Sequence, residues 1–114
     1  MARILIVEPH ADIQSLLEHV IRKLGHEPVL ADSAGSETMD AAAAVIEPGD
    51  ARGLPLARSL RESGCPVIFT SIFPADQESL DLEPVAYFVK PFGLTELRNA
   101  LADALAHAHA HDPV

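Results

Sequence analysis

Two kinds of hydrophobic pattern alternate along the 114-residue chain. Short runs of consecutive apolar residues are typical of strands that are covered on both faces of a sheet. Between these runs, apolar residues recur every three or four positions, which is the pattern of an amphipathic helix. The runs predict five strands, at residues 4–7, 28–31, 41–46, 65–70 and 85–89.

The helical pattern is clearest in the segment that begins at Asp12 and is ended by Gly25, a residue type that commonly caps helices. Further helices are predicted over residues 33–39, 54–64 and 94–105, with one short helix inside the loop 72–84. Strands and helices that alternate in this way predict an α/β fold. Because crossover connections are right-handed, the fold is expected to be a doubly wound parallel sheet with helices on both faces.

The size and charge of the chain limit the classes of function that it can have. A chain of this length is sufficient for one domain, which we expect at residues 1–106, followed by a flexible tail at 107–114. The net charge of −9, with 8 scattered basic residues, argues against nucleic-acid binding, which needs a basic face. No apolar stretch is long enough to span a membrane and no signal peptide is recognisable, so we expect a cytoplasmic protein.

Cysteine and histidine add little chemistry. The single Cys65 excludes an internal disulfide and a cysteine-based zinc site, and its place before an apolar strand predicts a buried thiol. His10 is expected to be a loop residue rather than a metal ligand. In the tail, His107, His109 and His111 alternate and would not share one face of a helix.

The loops after strands one, three, four and five are expected to meet at one edge of the sheet, where wound sheets bind their ligands. These loops carry two acids, a hydroxyl and an ammonium group: Glu8, Glu47 or Asp50, Ser71 and Lys90. An ammonium group at a strand end attracts an anion, either a carboxylate or a phosphoryl group. The Lys90–Pro91 peptide bond is a candidate for the cis form, since prolyl bonds have only a small trans preference.

Three segments together resemble the receiver domain of two-component response regulators. They read ILIVE at 4–8, PVIFTS at 66–71 and YFVKPF at 87–92, in the order of that family's first, fourth and fifth strands. The resemblance implies a flavodoxin-like sheet of five strands in the order 2-1-3-4-5. It also implies that Ser71 is the switch hydroxyl, that Tyr87 is the rotating aromatic residue, and that Lys90, followed by Pro91, is the phosphate-sensing lysine.

The first departure from the receiver pattern follows strand one. Receivers carry two adjacent acids there, and the second helps to hold magnesium, whereas here Pro9 follows Glu8. A proline side chain offers no oxygen ligand, and magnesium requires oxygen ligands in near-octahedral order. We therefore expect no cofactor, and Glu8 is left as a weak magnesium candidate.

The second departure lies at the end of strand three, where receivers carry the phosphorylated aspartate. Glu47 takes that place if the strand ends at residue 46, ungapped alignment from Gly53 gives Val45 instead, and Asp50 is the nearby aspartate in the loop. The side chain of Glu47 is one methylene longer than aspartate, so its carboxylate would lie closer to Lys90. An ion pair between them would partly mimic a phosphorylated site, which carries a larger negative charge.

Each of these residues also has a plain structural interpretation. Glu47 could be a solvated turn residue before Pro48, and Glu8 could be a structural acid paired with Lys90. Ser71 could cap a strand end, and Tyr87 could be a core aromatic with a hydrated hydroxyl.

We expect a stand-alone, non-enzymatic receiver domain that signals through protein contacts without standard aspartyl phosphorylation. The resemblance implies a sensor histidine kinase, a phosphotransfer protein or another regulator as partner, with homodimerisation as a further form of contact. The alternative is an active phosphoacceptor that uses Asp50 or a shifted register. A flavin or nucleotide binder ranks below both, because the loop at 8–11 is acidic and lacks a glycine-rich or hydroxyl-rich phosphate site.

Overall fold

The structure of the protein, a computed structural model, describes residues 2–31 and 40–110, with side chains as far as residue 106. Five strands and four helices make up this part of the chain. The strands are β1 (Arg3–Val7), β2 (Glu27–Leu30), β3 (Ala43–Ile46), β4 (Val67–Ser71) and β5 (Ala86–Val89). The helices are α1 (Ala11–Lys23), α2 (Gly53–Glu62), α3 (Gln77–Leu80) and α4 (Leu94–Ala110).

The strands form one sheet in the order β2-β1-β3-β4-β5, and each neighbouring pair is parallel. This confirms the predicted doubly wound topology. Alternate side chains of the central strands point to opposite faces, and each face is covered by helices, so the sheet separates two cores. One core joins Ile4 and Ile6 of β1 to α1 and α4, and the other joins Leu5 and Val7 to α2. A strand buried on both faces requires a continuous apolar run, which is the pattern that predicted β1.

Helix α1 shows how the sequence sets an element's limits. Its apolar stripe places Leu17, Val20 and Ile21 in the core. The helix ends before Gly25, whose φ of 85° is a left-handed conformation that a residue with a side chain rarely adopts.

Several predicted elements differ in extent, as β3 does in beginning at Ala43 rather than at residue 41, and others lie outside the described residues. Residues 33–39 lie outside the described residues, so the short helix predicted there stays a prediction. Helix α4 continues to Ala110, so the backbone of residues 107–110, part of the predicted flexible tail, is helical. Residues 111–114 are also outside the described part. Ser71 is the last residue of β4 rather than the first residue after it.

Cys65 is a buried free thiol, as predicted. Burial raises its pKa to about 11, since the low-dielectric surroundings disfavour the thiolate. The thiolate is the reactive form, so this cysteine is structural rather than nucleophilic. In the described part of the chain, no helix is long and apolar enough to cross a membrane.

Candidate functional site

The register of the sheet brings two acids together. Val7 of β1 pairs with Ile46 of β3, so the residues that follow these strands, Glu8 and Glu47, leave the sheet side by side. The backbone extends this pairing by one residue, because the amide of Glu47 donates to the carbonyl of Val7 at 2.7 Å. The third strand therefore ends at residue 46, and Glu47 occupies the strand-end position.

Lys90 reaches the same point from the far side of β4. Its backbone amide donates to the carbonyl of Ser71 at 2.7 Å, which fixes the end of β5 against the end of β4. Its side chain then extends to both acids. The Nζ atom lies 2.6 Å from Oε1 of Glu8 and 3.0 Å from Oε1 of Glu47. We call Glu8, Glu47 and Lys90 the charged cluster.

The second oxygen of each carboxylate is also hydrogen-bonded. Oε2 of Glu8 accepts from the backbone amide of His10 at 3.2 Å and lies 3.2 Å from Nδ1 of the same residue. Oε2 of Glu47 accepts from the backbone amide of Gly49 at 3.1 Å. All four carboxylate oxygens therefore have partners, which is the condition for burying such groups without a large penalty.

The charged cluster is buried. The side chains of Glu8, Glu47 and Lys90 are 0%, 7% and 9% exposed, respectively. Glu47 is therefore not the solvated turn residue considered as an alternative. Buried charges interact more strongly than charges on the surface. Removal of the ammonium or of the carboxylates alone would therefore leave a buried charge unpaired, which is costly.

Gly53 allows the loop after β3 to return close to Glu47. A Cβ atom at this position would lie 2.4 Å from the backbone oxygen of Glu47, which is closer than real side chains approach. Any residue larger than glycine would therefore displace the strand end that carries the acid. The sequence analysis did not predict this role of Gly53. A glycine at the first position of a helix, preceded by Arg52 rather than by a capping residue, is a signal that could have indicated it.

The two other candidates for the acidic position lie elsewhere. Val45 is fully buried within β3 and belongs to the core beneath α1 and α4. Asp50 points away from the cluster to Arg52, with Oδ2 at 3.1 Å from Nη2 and Oδ1 accepting from the Arg52 backbone amide at 2.9 Å. The Arg52 side-chain hydrogen bond lowers the pKa of Asp50. The structure thus brings Glu47, and neither Val45 nor Asp50, to Lys90.

Ser71 and Tyr87 hold the loop that follows β4. The Ser71 hydroxyl accepts a hydrogen bond from the Phe73 amide at 3.2 Å, and the Tyr87 hydroxyl donates to the Phe73 carbonyl at 3.0 Å. The Tyr87 ring packs against Phe69 with centroids 6.0 Å apart. Ser71 thus shares the rim with Lys90 through its backbone, while its hydroxyl bonds to its own loop. Pro91 follows Lys90 through a cis peptide bond.

One small pocket at the rim is lined by residues that the structure describes. The pocket that Ser71 and Tyr87 line, together with Gly49 and Asp76, has a volume of 110 Å³. Pockets for organic ligands usually measure roughly 300–1,000 Å³. This comparison gives no support to a flavin or nucleotide at this position.

The residues at the rim do not fit magnesium, the ion that the receiver pattern implies. In the described chain, no group of three or more acidic, histidine or cysteine side chains is arranged to hold a metal ion. Pro9 supplies no ligand, and the oxygens of Glu8 and Glu47 that face each other are already bonded to Lys90. His10, which contacts Glu8, is two-thirds exposed and bonds to the carboxylate rather than completing a ligand set.

Comparison with known proteins identifies the fold. No protein-family model matches the chain, and no curated protein matches it in sequence. Many solved structures match it, among them receiver domains and response regulators. A CheY-like response regulator receiver domain protein from Methanospirillum hungatei JF-1 is 18% identical, with a TM-score of 0.83 over 98% of this chain and 99% of the other.

Two further neighbours show the same fold in other contexts. The signal receiver domain of a modulated diguanylate cyclase from Desulfovibrio desulfuricans G20 is 20% identical, with a TM-score of 0.77 over 98% of this chain and 99% of that one. The chemotaxis protein CheY4 of Vibrio cholerae is 18% identical, with a TM-score of 0.76 over 92% of this chain and 99% of that one. The chain therefore has the CheY-like receiver fold, with flavodoxin-like topology, as the sequence predicted.

Proposed function

We propose that this protein is an atypical receiver domain of a two-component phosphorelay, which signals through protein contacts and does not accept a phosphoryl group on an aspartate. The observation that carries the proposal is the contact between Lys90 and Glu47. In the receiver resemblance these are the phosphate-sensing lysine and the place of the phosphorylated residue, and here they are already joined at 3.0 Å.

The state of the Glu47 carboxylate supports this proposal. A nucleophile needs a free lone pair directed at the incoming phosphorus, and phosphoryl transfer also needs cations that neutralise the developing charge. One oxygen of Glu47 is bound to Lys90 and the other to the Gly49 amide. These two hydrogen bonds lower the nucleophilicity of the Glu47 carboxylate, and Pro9, in place of the second acid, supplies no ligand for the cation.

A surface for protein contacts lies beside the charged cluster. Ile72 and Phe73, in the loop after β4, are 59% and 66% exposed, and Val89 at the end of β5 is 45% exposed. Large apolar side chains on a loop held by hydrogen bonds are typical of interaction surfaces. Ser71 and Tyr87 hold this loop through hydrogen bonds to Phe73, and the Ser71 carbonyl also accepts from the Lys90 amide. We propose that a histidine kinase, a phosphotransfer protein or another receiver, including a second copy of this chain, binds here.

The experiment that tests the proposal is incubation with a small-molecule phosphodonor and magnesium, followed by intact mass measurement. We expect no gain of a phosphoryl group, whereas an active receiver treated in parallel gains one. The absence of an aspartate at position 47 and the absence of an acid at position 9 are two separate reasons for this result. A Glu47→Asp variant separates them, since it restores the aspartate and keeps Pro9. A phosphoryl adduct on wild-type Asp50 or Glu47 would contradict the proposal and favour an active phosphoacceptor.

A further inference from the structure

The Lys90 ammonium lies between one oxygen of Glu8 and one oxygen of Glu47, at 2.6 and 3.0 Å. A cation that bridges the two strand ends would have to bind the same two oxygens. We propose that Lys90 permanently takes the place of a divalent cation between Glu8 and Glu47, and that the rim is closed to magnesium as long as the lysine is present.

The first reason is competition by a tethered group. Lys90 is anchored by its backbone hydrogen bond to Ser71, and its side chain is only 9% exposed. The ammonium is therefore held at the two oxygens at a high effective concentration, and a free ion would have to displace it from both carboxylates. The other partners of the carboxylates are the backbone amides of His10 and Gly49 and the His10 ring, at 3.1–3.2 Å, and they bond to the second oxygens rather than to the two that Lys90 joins.

The second reason is ligand number. Magnesium prefers six oxygen ligands and releases its water reluctantly. Displacement of Lys90 would provide one oxygen from each carboxylate, while the other two oxygens are bonded to the amides of His10 and Gly49. Pro9 contributes nothing. A divalent ion that bridged the two carboxylates would gain only two protein ligands, and it would have to displace the Lys90 ammonium. The internal ammonium is therefore the better counter-ion.

Removal of the ammonium reverses this balance. Two buried carboxylates that face each other without a cation repel, and a divalent ion with its remaining waters can then relieve the repulsion. The inference deepens the proposed function at the same site, and it rests on the geometry of the cluster rather than on the absence of phosphorylation. Magnesium binding to the wild type without a phosphoryl adduct would overturn this inference alone.

Thermal unfolding with and without divalent cations tests the inference. Wild-type protein, Lys90→Met and Lys90→Met combined with Glu8→Gln are compared in chelator and in about 10 mM Mg²⁺ or Mn²⁺ at matched ionic strength. We expect no specific rise in Tm for the wild type, a rise of about 5 °C for Lys90→Met, and no rise when Glu8 is also neutral.

Two results would overturn the inference. One is a Mn²⁺-dependent relaxation of wild-type NMR signals centred on residues 8 and 47, which would show that the ion binds although Lys90 is present. The other is a Tm of Lys90→Met that is the same in chelator as in Mg²⁺ or Mn²⁺. If Lys90→Met does not fold in chelator, Lys90→Gln serves as the same test, since its amide can still donate to both carboxylates while the positive charge is absent.

Discussion

The Lys90→Met variant is expected to lose about 3–5 kcal/mol of unfolding free energy in the absence of divalent cations, because it leaves two buried carboxylates without a counter-ion. Methionine keeps most of the apolar stem, so the loss reports the ammonium group rather than its packing. Glu8 has a fully buried side chain and Glu47 one that is 7% exposed, so water cannot replace the lost contacts at both.

Urea denaturation at constant ionic strength measures this loss. Lys23→Met is the matched control, because Lys23 lies at the exposed end of α1 and its replacement should change stability by less than about 0.5 kcal/mol. Neutralising the acids together with the lysine, in the triple variant with Glu8→Gln and Glu47→Gln, should recover part of the loss, since a buried pair replaced on both sides can be nearly neutral. A loss below about 1 kcal/mol for Lys90→Met would show that the cluster is solvated in solution.

The second large effect is expected at Gly53. Alanine normally stabilises a helix by up to about 1 kcal/mol relative to glycine. Here its Cβ would meet the backbone oxygen of Glu47 at 2.4 Å, and a backbone atom cannot move aside without shifting the strand end. We therefore expect Gly53→Ala to lower the free energy of unfolding by about 1–3 kcal/mol, against the helix preference.

Gly49→Ala is the matched control in the same loop. A Cβ there would be 3.5 Å from the nearest atom, Oε2 of Glu47, which is an ordinary contact. Its stability should stay within about 0.5 kcal/mol of the wild type. Stabilisation of the protein by Gly53→Ala, as helix propensity alone predicts, would contradict the packing described for this loop.

The sequence was sufficient for the architecture because each element carries its own signal. Continuous apolar runs such as residues 4–7 require cover on both faces, and only alternation with helices provides it. The ammonium at Lys90 could also be placed, since a lysine and a proline that end an apolar run mark the carboxyl end of a strand. In the structure, the Lys90 amide and the Ser71 carbonyl then tie two of the predicted strand ends together.

The identity of the second acid could not be predicted in the same way. The alanine-rich third strand gives no sharp end, so Glu47, Val45 and Asp50 remained open from the sequence. The pairing of Val7 with Ile46, a long-range feature, determines that Glu47 leaves the sheet beside Glu8. The second carboxylate oxygens of Glu8 and Glu47 bond to the amides of His10 and Gly49, and these contacts depend on loop torsions. The hydrogen bond of the Ser71 hydroxyl depends on its rotamer. Neither follows from residue type.

In the charged cluster, the Lys90 ammonium balances part of the negative charge of Glu8 and Glu47. The chain supplies one ammonium and two carboxylates of its own at the end of the sheet. If the site does not accept a phosphoryl group, as we propose, a change of state would have to come from a contact elsewhere. The exposed Phe73 loop is where such a contact could act on the cluster, because Ser71 accepts hydrogen bonds from the Phe73 amide and from the Lys90 backbone amide.

The most direct test of the account is NMR observation of the lysine ammonium groups in ¹⁵N,¹³C-labelled protein. The chain contains two lysines, Lys23 and Lys90, so each can be assigned from one variant, and Lys23 serves as an internal control. We expect the Lys90 ammonium protons to exchange slowly with water and to show hydrogen-bond couplings to the carboxylate carbons of Glu8 and Glu47. A Lys90 signal that exchanges as fast as that of Lys23, with no such couplings, would contradict it.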